Sequence, residues 1–109
     1  MNWFEIQVAG IARIDRVVAV FEVWAPETLP FAKFKVKIVE RRGDNFAGFT
    51  NVAIRNPETG QPEGNAGLGA SVEEALKDVL HGFLREIEEN SPGRPLSEGD
   101  FVWSAPEDF

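Results

Sequence analysis

Residues 67–90 read GLGASVEEALKDVLHGFLREIEEN, a glycine-rich segment followed by an amphipathic one. Ser71 and Glu74 have the spacing of a capping box, in which the serine hydroxyl accepts a hydrogen bond from the Glu74 amide and the glutamate reaches back. Apolar residues then recur at intervals of three and four positions: Val72, Ala75, Leu76, Val79, Leu80, Phe83, Leu84 and Ile87. This spacing predicts a helix over residues 71–90 with one continuous apolar stripe.

The segment FAKFKVKIVE, residues 31–40, has the alternation of a β-strand. Its apolar face carries Phe34, Val36 and Ile38, and its opposite face carries Lys33, Lys35 and Lys37. The next residues, RRGDN, predict a turn, because Gly43, Asp44 and Asn45 tolerate positive φ angles. FAGFTNVAIR then predicts a returning antiparallel strand, in which Gly48 marks a bulge or a close backbone approach.

Two earlier segments also have strand character. WFEIQV, residues 3–8, alternates apolar and polar residues and predicts a short strand. A β-branched and aromatic run predicts a second strand from Val17 to Trp24, starting as early as Ile14. Residues 11–16 fit either helix or strand.

These elements predict an α+β fold: an antiparallel meander of three or four strands with one long C-terminal amphipathic helix packed on one face. The apolar face of residues 31–40 needs a covering partner, and the stripe of residues 71–90 is the long one available. We expect residues 1–109 to form a single domain. Residues 91–109 form a Pro/Gly-rich acidic tail, in which residues 101–103 (FVW) predict a short packed segment.

The composition limits the compartment and the chemistry. The chain has no cysteine, which excludes disulfides and thiolate catalysis. The N-terminus lacks the pattern of a signal peptide, and the longest apolar run, Val17–Phe21, is too short to span a bilayer. We therefore expect a cytoplasmic protein without membrane contact.

The net charge of −7 is unevenly distributed along the chain. Residues 1–42 contain seven Lys/Arg and five Asp/Glu, whereas residues 43–109 contain four and thirteen. An acidic half repels phosphate backbones and attracts basic surfaces. This favours a small basic protein over nucleic acid as the partner, although the charge also serves solubility alone.

The glycine-rich segment does not predict a phosphate site. Glu73 and Glu74 place two negative charges in the first helical turn, and the spacing matches neither a P-loop nor a dinucleotide fingerprint. His81 is the single histidine and lies among cations, without a paired metal ligand. We therefore expect no cofactor, no metal site and no catalytic residue, and hence no enzyme.

The clearest charged cluster is a basic row on one strand and its turn: Lys33, Lys35, Lys37, Arg41 and Arg42. The row fits a binding surface for nucleic acid, a nucleotide or a protein, and it equally fits the solvated face of an antiparallel strand. A second candidate lies in the polar, proline-spaced segment 55–70, where Glu58 and Glu63 would attract a basic partner. Long loops of this kind are either mobile or functional.

The run from Phe34 to Ile87 resembles the HicB-like antitoxin domain. The matching residues are KVKIVERRGDNFAGF and GLGASVEEALKDVLHGFL, which follow that family's order of strand, glycine-bearing turn, strand, Gly-x-[ST]-x-Glu-Glu-Ala and helix. The resemblance covers about half of the chain. It implies a three-stranded sheet backed by helices and a role in binding a small basic toxin. The family's Pro-Gly-Cys-type segment and a C-terminal DNA-binding unit are absent from this sequence.

The sequence thus predicts a small non-catalytic binding module, and the resemblance to HicB-like domains implies that it neutralises a basic protein partner. Two alternatives remain open: an RNA- or nucleotide-binding domain using the face of Lys33, Lys35 and Lys37, and a small enzyme with an unrecognised site. Self-association into a homo-oligomer also remains open.

Overall fold

The chain forms two antiparallel sheets and a long helix, as seen in the computed structural model, which describes residues 2–42 and 44–109. The larger sheet contains β1 (Arg16–Trp24), β2 (Lys33–Arg41), β3 (Asn45–Thr50) and β5 (Ala66–Gly69), side by side in that order. The smaller sheet pairs β4 (Val52–Ile54) with β6 (Phe101–Trp103). The helix α1 (Val72–Glu89) packs on one face of the larger sheet. The predicted α+β fold is confirmed.

The core lies between α1 and the larger sheet. Four α1 residues are buried, one per turn: Ala75, Val79, Phe83 and Ile87. Opposite them lie the three apolar β2 residues that the alternation assigned to one face, and the rings of Phe34 and Phe83 are 5.0 Å apart. The small sheet closes one end of this core with Val52, Ile54 and Phe101, all buried. The apolar stripe and the strand alternation therefore meet in one core, as expected, except that Leu84, predicted to lie in the stripe, is exposed.

Side chains fix the start of α1. The Ser71 hydroxyl accepts a hydrogen bond from the Glu74 amide at 3.1 Å, as predicted. The Glu74 carboxylate accepts from the amide of Ala70 at 2.9 Å, one residue before the position that a capping box uses. The first bond caps the helix, and the second holds the end of β5 against the first turn of α1.

Gly67 and Gly69 determine how closely α1 lies on β5. A Cβ atom at Gly67 would lie 2.3 Å from the Val79 amide nitrogen, and one at Gly69 would lie 2.5 Å from that of Ala75. No side chain fits at either position, so the backbones of α1 and β5 are in direct contact. The sequence prediction of a loop at residues 66–69 is wrong, because these glycines belong to a strand whose role is close packing.

The predicted strand over residues 46–55 is in fact two strands in different sheets. β3 ends at Thr50, and β4 leaves the larger sheet after Asn51 to pair with β6. Asn51 stabilises this corner: its side-chain oxygen accepts from the Lys35 amide at 2.8 Å, and its own amide donates to the Lys35 carbonyl at 3.0 Å. The side-chain bond joins two residues sixteen positions apart, and an alternation pattern carries no information about such a contact.

The N-terminal segment also differs from its prediction. Residues Trp3–Glu5 form a 3-10 helix, and the strand predicted over residues 3–8 is absent from the described chain. Residues 11–15, which fitted helix or strand, are neither, and β1 begins at Arg16. In the turn after β2 it is Arg42 that has a positive φ, of 54°. The prediction for Gly43 lies outside the described residues.

Candidate functional site

The basic row runs along β2 on the face of the sheet opposite α1, which we call the open face. Lys33 and Lys35 are exposed. Lys33 Nζ lies 3.1 Å from Glu22 Oε1 and 5.0 Å from the centre of the Trp24 ring on the neighbouring strand. The first lysine of the row is therefore paired with groups of this chain.

Further along the row the cations are partly covered. Lys37 is half-buried, with Nζ 4.9 Å from the centre of the Phe109 ring, so the end of the chain lies over the open face. The Arg41 guanidinium lies 5.7 Å from the Phe49 ring, and its Nε is buried without a hydrogen-bond partner among the described residues. Val39, between these two cations, is buried. The row is thus a mixed surface of cations and aromatic rings, unlike either a bare lysine stripe or a fully solvated face.

Arg41 and Arg42 border a cavity of about 700 Å³, which we call the arm cavity, at the end of the larger sheet where β2 turns into β3. Its other walls come from residues 3–15, and the apolar ones are Trp3, Phe4, Ile6, Val8, Ile11 and Ile14. Arg13 also lines this cavity, and its Nε is 3.0 Å from the Asp15 carboxylate. Arg41 additionally lines a second cavity, of about 300 Å³, that contains Lys37 and Phe109. Two of the predicted site residues, Arg41 and Arg42, therefore meet in a place that no motif indicated.

Residues 2–15, which we call the arm, precede β1 and contain one short 3-10 helix as their regular structure. Within the described chain, every hydrogen bond of the arm is internal to it, for example Ile11 N to the Val8 carbonyl at 3.0 Å. Four apolar side chains of the arm are 40–58% exposed: Ile6, Val8, Ile11 and Ile14. The radius of gyration is 15.6 Å, whereas a compact domain of this size has about 13 Å, as expected when a segment projects.

The arm was missed in the sequence because its apolar residues follow no single period. The intervals between Ile6, Val8, Ile11 and Ile14 are two, three and three. They match neither the strand nor the helix template over the whole segment. That mismatch, in a segment rich in isoleucine and valine, is the signal that could have identified an apolar surface without regular structure.

The two predicted glutamates lie in a folded turn away from the basic row. The Asn56 side-chain oxygen accepts from the Glu58 amide at 2.8 Å, and the Glu63 carboxylate accepts from Asn56 Nδ2 at 2.9 Å. Arg55 closes the turn by donating to the Gly60 carbonyl at 3.0 Å. Neither glutamate lines a cavity with Arg41. Glu63 therefore has a structural bond, and Glu58 remains an exposed carboxylate on a separate surface.

Two amides of the glycine-rich segment that precedes α1 already bind carboxylates of this chain. The Leu68 amide donates to Asp78 Oδ2 at 2.9 Å, and the Ala70 amide donates to Glu74 as described above. A phosphate loop presents such amides to an anion. Here two internal side chains occupy them, which gives the glycine-rich segment a structural explanation.

Two further ion pairs lie in the described chain: Arg16 with Glu40 at 3.5 Å, and the closer pair of Arg94 with Asp100. Arg94 donates two hydrogen bonds to the Asp100 carboxylate, at 2.7 and 2.9 Å, and the Ser97 amide donates a third at 2.8 Å. The hydrogen bond from Arg94, followed by that from Ser97, lowers the pKa of Asp100 from its usual 3.8 to about 2. His81 is exposed on α1, and the described residues contain no cluster of three or more His, Asp or Glu side chains suited to a metal.

Comparison with family models, with curated proteins and with solved structures gave no significant match. Among the described residues, no helix combines the length and the apolar character needed to cross a bilayer.

Proposed function

We propose that the protein is a non-catalytic protein-binding module and that the arm, together with Arg41 and Arg42, is its docking surface. The observation that carries this proposal is the exposure of the apolar arm. Four of the ten large apolar side chains exposed in the described chain lie in the arm: Ile6, Val8, Ile11 and Ile14. A contiguous apolar surface on a small protein marks an interaction site.

The composition of this surface supports a protein partner. Aromatic residues and arginine are enriched at the centres of protein interfaces, where lysine and glutamate are depleted. The arm cavity joins Trp3 and Phe4 with Arg13, Arg41 and Arg42. The arginines can donate hydrogen bonds to backbone carbonyls or carboxylates of a bound protein, while the apolar side chains exclude water around them.

The class of partner follows from the charge of the whole molecule. With a net charge of −7, the chain accelerates association with a basic protein and slows association with nucleic acid. The resemblance to HicB-like antitoxins supports the same class, because those domains bind small basic toxins. A small basic protein is therefore the partner that we propose.

The geometry gives less support to nucleic acid as the partner. A phosphate backbone needs free cations, but Lys33 is engaged by Glu22, and Phe109 covers Lys37. Of the five cations in the row, Lys35 and Arg42 are exposed and make no ion pair in the described chain, and they lie at separate places along it.

The test is affinity purification from the source cells with a matched pair of variants. Ile11→Lys places a charge on the arm, and Leu84→Lys places the same charge on α1, where Leu84 is 46% exposed. We expect wild type and Leu84→Lys to retain a small basic protein and Ile11→Lys to lose it. The association rate should fall as ionic strength rises.

Three outcomes would overturn the proposal. The first is that wild-type protein retains no protein partner. The second is that Ile11→Lys binds as well as wild type, which would place the interface elsewhere. The third is retention of nuclease-sensitive nucleic acid that the triple variant Lys33→Glu, Lys35→Glu, Lys37→Glu loses, which would assign the nucleic-acid alternative.

A further inference from the structure

β1 has the sequence of an inner strand but lies at the edge of the larger sheet. Apart from Glu22, every residue from Val17 to Trp24 is apolar. On the open face, Val17, Val20 and Trp24 are 52–61% exposed. On the α1 face, the apolar residues are only partly buried: Val18, Ala19, Phe21 and Val23. A nearly continuous apolar run is typical of a strand that is covered on both faces.

The opposite edge of the sheet shows how this fold protects an edge strand. β5 has only four residues, its glycines lie against α1, and the Asp78 carboxylate binds its Leu68 amide. β1 has nine residues, and no side chain of the described chain bonds to its backbone. Its protection is limited to a bulge between Val17 and Ala19 and two charged residues, Arg16 and Glu22. A long, unblocked apolar edge is a template for pairing with another strand.

We propose that β1 pairs antiparallel with β1 of a second copy, so that two four-stranded sheets join into one of eight strands. Val20 is the midpoint of Arg16–Trp24, and a two-fold axis near it lets all nine residues take part. Such an axis brings the same surface of each copy together. This inference goes beyond the proposed function, because it uses the β1 edge and leaves the arm free.

Charge identifies the occupant of this edge as a second copy. β1 contains one cation, Arg16, and one anion, Glu22, and Glu22 is already paired with Lys33. A neutral edge gives a basic partner no electrostatic advantage but suits an identical strand. The acidic helix α1 packs mainly on β5 and β3, so pairing through β1 would place the two helices toward opposite ends of the joined sheet. Neighbouring strands are about 4.8 Å apart, and charge repulsion is screened beyond about 8 Å at physiological salt. Because several strands would separate the two acidic helices, the helices would repel each other only weakly.

The small size of the β1 edge determines how tightly we expect the two copies to bind each other. A stable interface of standard size uses about 20–30 residues from each partner. A strand of nine residues supplies fewer. We therefore expect a dimer that dissociates on dilution, with a dissociation constant in the micromolar range or weaker.

Sedimentation equilibrium of the full chain tests the inference. We expect the wild-type mass to rise from 12.1 kDa toward twice that value between micromolar and millimolar concentrations. Val20→Lys, which sets a cation at the centre of the edge, should raise the dissociation constant at least about tenfold. Leu68→Lys is the matched control on the other edge, and Ile11→Lys is the control on the arm; both should dimerise as wild type does. Circular dichroism verifies that each variant is folded.

A wild-type mass of 12.1 kDa at every concentration would overturn the inference without affecting the proposed function. A dimer that Val20→Lys retains and Ile11→Lys loses would also overturn it, and would assign self-association to the arm. Hydrogen exchange gives an independent readout: the β1 amides that face outward should exchange more slowly as wild-type concentration rises. Amides of β5 should show no such dependence, and equal behaviour of the two edges would contradict pairing through β1.

Discussion

At the scale of single residues, two glycines explain why α1 rests where it does. Gly67 and Gly69 alternate along β5, so both present their missing side chains to α1. Because the helix backbone fills the space that a Cβ would need, it lies at backbone distance from β5. The same closeness lets the side chain of Asn65 reach the Val79 carbonyl, to which it donates at 2.8 Å.

We expect Gly67→Ala to destabilise the protein by about 1–3 kcal/mol, because its new methyl group meets the backbone of Val79 and cannot be accommodated by a rotamer change. Gly64→Ala is the control, since a Cβ there meets nothing within 4 Å, and its effect should be within about 1 kcal/mol. Urea unfolding gives the free energies of both variants. Equal stability of Gly67→Ala and wild type would show that α1 can move away from β5 at no cost.

At the scale of elements, a small network of hydrogen bonds around Asp100, which we call the bracket, positions the chain where it returns after α1. Asp100 accepts hydrogen bonds from Arg94 and from Ser97, and its carbonyl accepts from the Arg55 amide at 2.8 Å. These bonds connect the segment before β6 with the end of β4. The bracket therefore aligns the two strands of the small sheet, whose Phe101 reaches the core.

Because of this bracket, part of the free energy of unfolding should depend on pH in the acid range. The pKa of Asp100 is lowered to about 2 in the folded protein, so its contribution is complete above its usual pKa of 3.8 and is lost as the pH falls through about 2. We expect Asp100→Asn to lower the midpoint of thermal unfolding at neutral pH and the difference from wild type to shrink between pH 3.8 and about 2. Glu98→Gln, a neighbour on the same 3-10 helix, serves as the control. A difference that stays constant across this range would assign the effect of Asp100→Asn to something other than its charge.

The elements that the sequence predicted well are those in which burial follows a simple period. α1 and β2 each bury one face with a regular period, so Phe83 and Ile38 were assigned correctly from spacing alone. β5 was missed because GLG has low strand propensity and carries no buried side chain; the strand exists because a helix covers it. The corner at Asn51 was missed because one side-chain hydrogen bond, made across the fold to Lys35, decides it.

At the scale of the whole molecule, apolar and acidic surfaces are separated. The arm and β1 hold most of the exposed large apolar side chains of the described residues, whereas the acidic residues concentrate after residue 43. The sequence indicated this charge asymmetry and predicted a basic partner from it. It did not indicate the arm cavity, because the approach of Arg41 and Arg42 to residues 3–15 depends on how β1 and β2 pair.

The pairing of β4 with β6 also has a consequence for the order in which the two sheets fold. β1, β2 and β3 pair with their neighbours along the chain, but Ile54 pairs with Phe101 across about fifty intervening residues. Closing so long a loop costs chain entropy before any contact repays it, so the small sheet should assemble after the larger one. We expect native-state hydrogen exchange to show the β6 amides opening at a lower free energy than those of β2, as a separate cooperative unit. Identical opening energies would mean that both sheets form in a single step. Until β6 pairs with β4, α1 alone covers the core. The last twenty residues then complete the fold when they pack against it.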